Sequence, residues 1–323
     1  MKTTSGRLRG FSPRLAVQLA FTALSNGYIS GFLHGKIYQG ELKRFCVPGL
    51  NCYSCPGALG SCPIGSLQAV IASPKHHMSF YVLGFLIAVG ALCGRLVCGF
   101  LCPFGLVQDL LYRIPTGGRK LRKIPGEIAV GKLRYAVLLG FVILLPMFAV
   151  NIIGQGDPWF CKYICPAGTL MGGIPLVLAG EGFREAAGAL FDWKLGVLIA
   201  VVLFSVFCYR PFCRLLCPLG AIYGLMNPVS LFRYRWIEAR CNRCGACRKA
   251  CKLGLDPVKN PNDPRCIRCG ECVRACAKHA IIPAMTFGLS VKTVSGSSPQ
   301  DGTAPSHACG GHCQTCRGCG EKG

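Results

Sequence analysis

Eight of the chain's 24 cysteines fall in two runs of one spacing, Cys241-x2-Cys244-x2-Cys247-x3-Cys251 and Cys266-x2-Cys269-x2-Cys272-x3-Cys276. The second run repeats the first at a constant offset of 25 residues. Thiols this close wrap the backbone around the corners of a cube, so metal rather than an apolar core dictates the local fold. Such runs hold 4Fe-4S cubanes, the fourth cysteine of each run serving the other cluster, while backbone N–H groups aimed at the sulfurs help set the potential. One cluster is expected on Cys241, Cys244, Cys247 and Cys276, and the other on Cys266, Cys269, Cys272 and Cys251. Lys252 and Ala277 stand where proline usually follows the fourth cysteine, a departure that removes no ligand. Zinc also uses Cys-x2-Cys pairs, but two full four-cysteine runs suit it poorly.

Ahead of these runs the chain is apolar. Four stretches, 15–32, 80–97, 135–153 and 195–207, are expected to be transmembrane helices, because roughly 20 apolar residues cross a bilayer. A fifth, 170–179, is short and broken by Gly and Pro, and reads as interfacial or re-entrant. Basic residues mark the cytoplasmic side. They crowd the N-terminal tail (Lys2, Arg7, Arg9, Arg14), the segment after the second stretch (Arg113, Arg119, Lys120, Arg122, Lys123, Lys132, Arg134) and the segment after the fourth (Arg210, Arg214, Arg233, Arg235, Arg240, Arg243). The 154–193 loop has only Lys162 and Arg184 against four acids. Both termini are therefore expected on the cytoplasmic side of the cell membrane, with the first stretch an uncleaved anchor since no small-x-small site follows it. The net charge of +23 is read mainly as topology and contact with anionic lipid. No groove-reading or base-stacking element suggests a nucleic-acid partner.

A second repeat lies in the apolar part. Cys93-x4-Cys98-x3-Cys102-Pro103-Phe104-Gly105 matches Cys208-x4-Cys213-x3-Cys217-Pro218-Leu219-Gly220 at an offset of 115, and Cys62-Pro63-Ile64-Gly65 resembles Cys165-Pro166-Ala167-Gly168. A duplicated two-helix unit is expected. Cys-x3-Cys spacing puts both sulfurs on one helical face, so two such pairs packed about a pseudo-twofold would present Cys98, Cys102, Cys213 and Cys217 to a third cluster, with Cys93 and Cys208 as alternative ligands. Small-residue helix packing or a structural turn is equally compatible. Cys46, Cys52, Cys55, Cys62, Cys161 and Cys165 form a candidate outer site, with disulfides as the alternative in an oxidising compartment. After a Ser/Gly/Pro-rich linker, Cys309, Cys313, Cys316 and Cys319 form a candidate tail site for zinc or iron–sulfur, near His307 and His312.

The expected architecture is mainly α: a polytopic membrane protein of about four transmembrane helices in two pseudo-repeats, plus a cytoplasmic α+β domain of the bacterial 2×(4Fe-4S) ferredoxin type. Its expected parts are 1–34 (basic tail and first helix), 35–79 (extracytoplasmic Cys-rich loop), 80–232 (membrane domain), 233–285 (ferredoxin domain) and 286–323 (linker and Cys-rich tail). No Cys-x2-Cys-His haem signal or P-loop occurs, and the single G-x-G-x-x-G, at Gly318–Gly323, ends the chain without a flanking strand or helix. His34, His76 and His77 sit at expected membrane edges and are read as interfacial.

The Cys-x3-Cys-Pro pairs at Cys98/Cys102 and Cys213/Cys217, followed by the eight-cysteine run, resemble membrane-anchored polyferredoxins of the NapH and NosR type over roughly residues 80–280. The resemblance implies four spans with cytoplasmic clusters, and electron passage between a quinone pool and a redox protein partner, as the electron-transfer subunit of a quinol dehydrogenase-like oxidoreductase. A copper-reducing role in cofactor assembly and a redox or metal sensor are the alternatives. Arg243, Arg248, Lys249, Arg268 and Arg274, between the cluster cysteines, are candidates for tuning potentials or docking an acidic donor, with a solvated surface as the plainer reading.

Overall fold

The computed structural model describes residues 12–73, 80–117, 120–122, 126–152, 155–179, 181–185 and 188–286. The tail cysteines Cys309, Cys313, Cys316 and Cys319, with His76, His77, His307 and His312, lie outside the described residues.

The fold is mainly helical. Its principal helices are α1 (Pro13–Ser25), α2 (Pro63–Ile71), α3 (Phe80–Cys93), α4 (Pro103–Leu111), α5 (Leu133–Phe148), α6 (Pro166–Ala179), α7 (Ala189–Phe207) and α8 (Pro218–Met226). Helices α2, α4, α6 and α8 start the same way, with a Cys at the cap and a Pro in the first turn, where the ring's missing N–H costs no hydrogen bond and its fixed φ favours the helix. The Cys102 and Cys217 sulfurs accept the N–H groups of Gly105 and Gly220, at 3.4 and 3.3 Å. Four cysteines are thus held at helix N-termini, where thiolate charge is favoured.

Among the described residues one helix, α7, is long and apolar enough to cross a membrane, and α3, α5 and α6 are shorter apolar helices. The 195–207 stretch extends back to Ala189, whereas 15–32 divides at Asn26 into α1 and the short helix Ile29–His34. The 80–97 stretch breaks at Gly94, whose φ of +53° is a left-handed conformation. The 170–179 segment lies within α6. Helix α5 widens into a π segment at Leu138–Leu144 just ahead of Pro146, which cannot donate to the α-helical ladder. Large apolar side chains stand exposed on these helices, among them Phe80, Leu83 and Ile87 of α3, Leu139, Leu144 and Phe148 of α5, and Ile199, Leu203 and Phe204 of α7.

The duplicated halves pack against each other, with Phe104 edge-on to Phe212 at a centroid distance of 5.4 Å. The last part, from strand β1 (Phe232–Trp236) to strand β2 (Ile281–Met285), closes on itself through an antiparallel pair in which Phe232 faces Met285 and Trp236 faces Ile281. Within it the backbone repeats at the 25-residue offset. Arg243 and Arg268 adopt φ of +54° and +53°, Gly245 and Gly270 +71° and +77°, and Gly254 and His279 +69° and +48°.

Buried polar contacts dock this lobe on the helices. Asn227 accepts the Arg95 N–H at 2.8 Å and donates to the carbonyls of Asp263 and Cys266 at 3.0 and 2.8 Å. Arg268, fully buried, donates to the carbonyls of Cys93 and Asn227 at 3.0 and 2.7 Å. Its counterpart Arg243 is exposed and ion-paired with Glu238. The surface reading therefore holds for Arg243 but not for Arg268, which has become an interface anchor.

Candidate metal centres

Two cavities in the last lobe are lined by the two expected ligand sets. One is bordered by Cys241, Cys244, Cys247 and Cys276, the other by Cys251, Cys266, Cys269 and Cys272. In each, three cysteines of one run meet the fourth of the other. The first cavity lies toward solvent at exposed Cys244, with Arg240, Arg243 and Arg248 on its rim. The second is apolar, walled by Leu253, Leu255, Ile267 and Tyr234, and by Tyr209 from the helical part. Burial pushes the Cys266 and Cys272 thiols up to about 12, so without a bound cation these donors stay protonated, and metal must displace the protons.

Cys98, Cys102, Cys213 and Cys217 are all buried and within electrostatic reach of one another. Their surroundings are reciprocal. Arg95 and Arg210, 115 residues apart, are both fully buried, and each crosses to the other half. Arg95 donates to the Cys213 carbonyl at 2.9 Å, and Arg210 to the Cys98 carbonyl. A methyl group on Gly220 would stand 2.9 Å from Arg95, and one on Gly105 3.1 Å from Arg210, so the glycine that ends each Cys-Pro-x-Gly makes room for the opposite guanidinium. Gln108, completely buried, donates to the Cys213 sulfur at 3.2 Å.

Asymmetry enters at one position. Asp109 holds Arg210 in a two-pronged pair, at 2.7 and 2.6 Å, and also meets Arg14 and Gln18 of α1. Burial raises the Asp109 pKa, but Arg210 and Arg14 outweigh it and hold the carboxyl at about 2. The equivalent position in the second half is Gly224, where a methyl would lie 2.8 Å from the Pro264 carbonyl. Among the described residues Arg95 has no carboxylate partner, and it donates to the carbonyls of Pro264 and Arg265, at 3.1 Å each. A buried guanidinium without a counter-ion is costly, so anionic charge at the adjacent thiols, as a bound cluster would supply, would offset it.

Of the alternatives, Cys93 has the Arg268 charge beside it and Cys208 lies 3.6 Å from an Arg214 nitrogen, which is itself paired with Glu127. Cys52, Cys62, Cys161 and Cys165 gather in a further group; Cys55 is within electrostatic reach of Cys52 but its sulfur faces Asn26, and the Cys46 sulfur faces Ser66. Among the described residues no three Cys, His, Asp or Glu side chains converge where one ion would reach them. A single zinc needs sulfurs within about 2.3 Å of the metal, whereas cubane ligands sit at separate corners. The donor sets therefore fit a cluster better than a lone ion.

A 4Fe-4S binding-domain family model matches the chain over residues 76–125, 133–178 and 191–236, taking in Cys93, Cys98, Cys102, Cys161, Cys165, Cys208, Cys213 and Cys217. The regulatory protein NosR of Pseudomonas aeruginosa is 28% identical over 179 residues, 54% of this chain and 22% of NosR. The methylamine utilization ferredoxin-type protein MauN of Paracoccus denitrificans is 29% identical over 187 residues, 56% and 55% of the two chains. Protein NirI of Paracoccus denitrificans is 29% identical over 174 residues, 51% and 23%. Over about half of its length the chain is similar to 4Fe-4S ferredoxin-type proteins, NosR, MauN and NirI among them. It spans about half of MauN and about a fifth of NosR. No solved structure matches it. The 4Fe-4S binding-domain match supports iron–sulfur clusters in this chain.

Sequence reasoning missed Arg95, Arg210, Gln108 and Gln68. The signal was present: the arginines repeat at the 115 offset, and each glutamine stands six residues after a Cys-Pro cysteine, Cys102 and Cys62.

Proposed function

We propose that this chain is a membrane-embedded one-electron relay, in which the clusters of the last lobe exchange electrons with a third cluster held by Cys98, Cys102, Cys213 and Cys217. One observation carries the reading. Ile267, between two cysteines of the apolar cavity, shares one continuous core with Cys98, Cys102 and Cys217, and its carbonyl lies where a methyl on Gly99 would come within 2.5 Å. Nothing but packed protein separates the two thiol sets. When bound, 4Fe-4S clusters supply reversible one-electron chemistry without proton transfer.

The residues divide the remaining work. Arg95 and Arg210 place positive charge beside the inner thiolates and thus favour the reduced state. Tyr209, Leu253 and Leu255 keep water from the middle site, and the docked lobe holds the spacing constant. The basic rim at Cys244 suits an acidic redox protein. Exposed apolar faces on α1, α3, α5 and α7 support four spans and a lipid-soluble quinone as the membrane-side substrate, and the basic residues at the lobe's side of the helices favour its cytoplasmic placement.

Iron and sulfide counting with EPR on the anaerobic full-length protein tests the proposal. Wild type should hold about four more irons than Cys98→Ser or Cys213→Ser, while both cavity-lobe signals persist. Equal iron in all three proteins would remove the third cluster. Failure of the reduced protein to be reoxidised by a menaquinone analogue would remove the quinone.

A further inference from the structure

We propose that Cys52, Cys62, Cys161 and Cys165 hold an additional 4Fe-4S cluster at the other end of the helical part. The site is a second edition of the inner one. Cys165 lies within electrostatic reach of Cys161, Cys52 and Cys62, and Cys161 within reach of Cys62 and Cys52. Cys62 and Cys165 each open a Cys-Pro-x-Gly segment, and glycines of these segments and of the helix that follows Cys165 lie in contact range of the sulfurs. A methyl on Gly65 would stand 3.9 Å from the Cys161 sulfur, one on Gly168 3.7 Å from the Cys52 sulfur, and one on Gly172 3.4 Å from the same atom.

A glutamine completes the likeness. Gln68, completely buried, donates to the Cys161 sulfur at 3.2 Å, and its oxygen is fixed by the Phe160 N–H at 3.0 Å. Gln108 stands in the same relation to Cys102 and Cys213. Cys161-x3-Cys165-Pro166 plays the part of Cys213-x3-Cys217-Pro218, so one half of the outer site follows the inner plan, whereas the fourth ligand, Cys52, comes from the loop before Cys62, where Ala58 occupies the matching position. Amide N–H groups aimed at sulfur suit a thiolate ligand, which a disulfide sulfur is not.

The site also has a route inward. Loop 46–50 folds back on the inner site: a methyl on Gly49 would stand 2.9 Å from the Cys102 α-carbon. Buried Tyr223 donates to the Pro48 carbonyl at 3.3 Å and lies within electrostatic reach of both Cys98 and Cys62. An electron leaving the inner cluster would oxidise it by one unit and reduce the outer cluster by one, with no bond or proton exchanged. Ligation stands by itself, whereas this transfer step rests on the relay proposed above.

The decisive comparison is wild type against Cys161→Ser/Cys165→Ser, full length and anaerobic. The double variant should lose about four irons and four sulfides and keep the signals of the other centres. An unchanged iron count, a single zinc per chain, or a disulfide among these four cysteines in anaerobically purified wild type would overturn the site. If the double variant does not fold, native wild type decides: these thiols should resist alkylation until iron is chelated, and immediate labelling would overturn the proposal. Iron lost from Cys213→Ser but not from the outer double variant would reject this site alone and leave the relay standing.

Discussion

Replacing Gln108 by leucine isolates one hydrogen bond to sulfur at little cost to the fold. The Gln108 amide donates to the Cys213 sulfur at 3.2 Å, but its own oxygen has no partner. Leucine is close in volume and removes an unsatisfied buried acceptor together with the donor, so the stability change should stay within about 1 kcal/mol. The redox effect is larger in relative terms. A hydrogen bond to a charged acceptor contributes about 1.5–3 kcal/mol, and it favours the more negative, reduced cluster. If about 1 kcal/mol of it differs between the two oxidation states, the midpoint falls by roughly 40–60 mV, taking 59 mV per tenfold for one electron. An EPR-monitored redox titration of wild type and Gln108→Leu, with iron content measured in parallel, reads the shift. The melting temperature should hardly move. A midpoint within about 10 mV of wild type at full iron content would refute the reasoning, since roughly four-fifths of the expected effect would be missing. Gln108→Glu should lower the midpoint further or expel the cluster, because like charge then faces the thiolate.

Asp109→Asn should leave Arg210 and Arg14 buried without their counter-ion and cost about 3–5 kcal/mol, read as a lower denaturation midpoint. The Asp109 carboxyl is held at about 2, below its unfolded value, so its contribution is fully present above pH ~4 and is lost as pH falls through about 2. Wild-type stability between pH 5 and 7 should thus owe no slope to Asp109, and acid unfolding of Asp109→Asn should be shallower. Gly99→Ala must displace the Ile267 carbonyl from 2.5 Å, which should cost about 1–3 kcal/mol. Loosened docking should slow inter-cluster transfer severalfold by flash reduction, with iron content unchanged. Cys93→Ala and Cys208→Ala should keep full iron, since both thiols turn away to arginines, and loss of iron from either would show the inner ligand set to be misassigned.

Much of the chemistry was legible from spacing because thiolate clusters are built from short-range runs. Cys241 to Cys276 name their own partners once the 25-residue offset is seen, and the left-handed conformations repeat with it. The 115-residue offset likewise foretells that Cys98/Cys102 and Cys213/Cys217 lie on matching elements. Helix limits were less legible. Hydropathy says only that a stretch is apolar, and it does not register the left-handed Gly94 that breaks 80–97 or the turn at Asn26 that divides 15–32.

What the tertiary structure alone decided is how charge and space are shared between the halves. Composition treats Arg210 and Arg268 as part of a positive surface, yet both are buried, as is Arg95; carbonyls from sequence-distant segments accept from all three, and of the three Asp109 pairs with Arg210 alone. Six outer cysteines look equivalent in the sequence. Only packing separates Cys52, Cys62, Cys161 and Cys165 from Cys46 and Cys55, since which sulfurs meet depends on where α2 and α6 start relative to each other. The sequence by itself determined the ligand types, the two repeats and the metal they suit, because those follow from donor chemistry and local spacing. Which halves face which, what compensates each buried charge and how one centre adjoins the next are long-range outcomes of close packing, which no local pattern encodes.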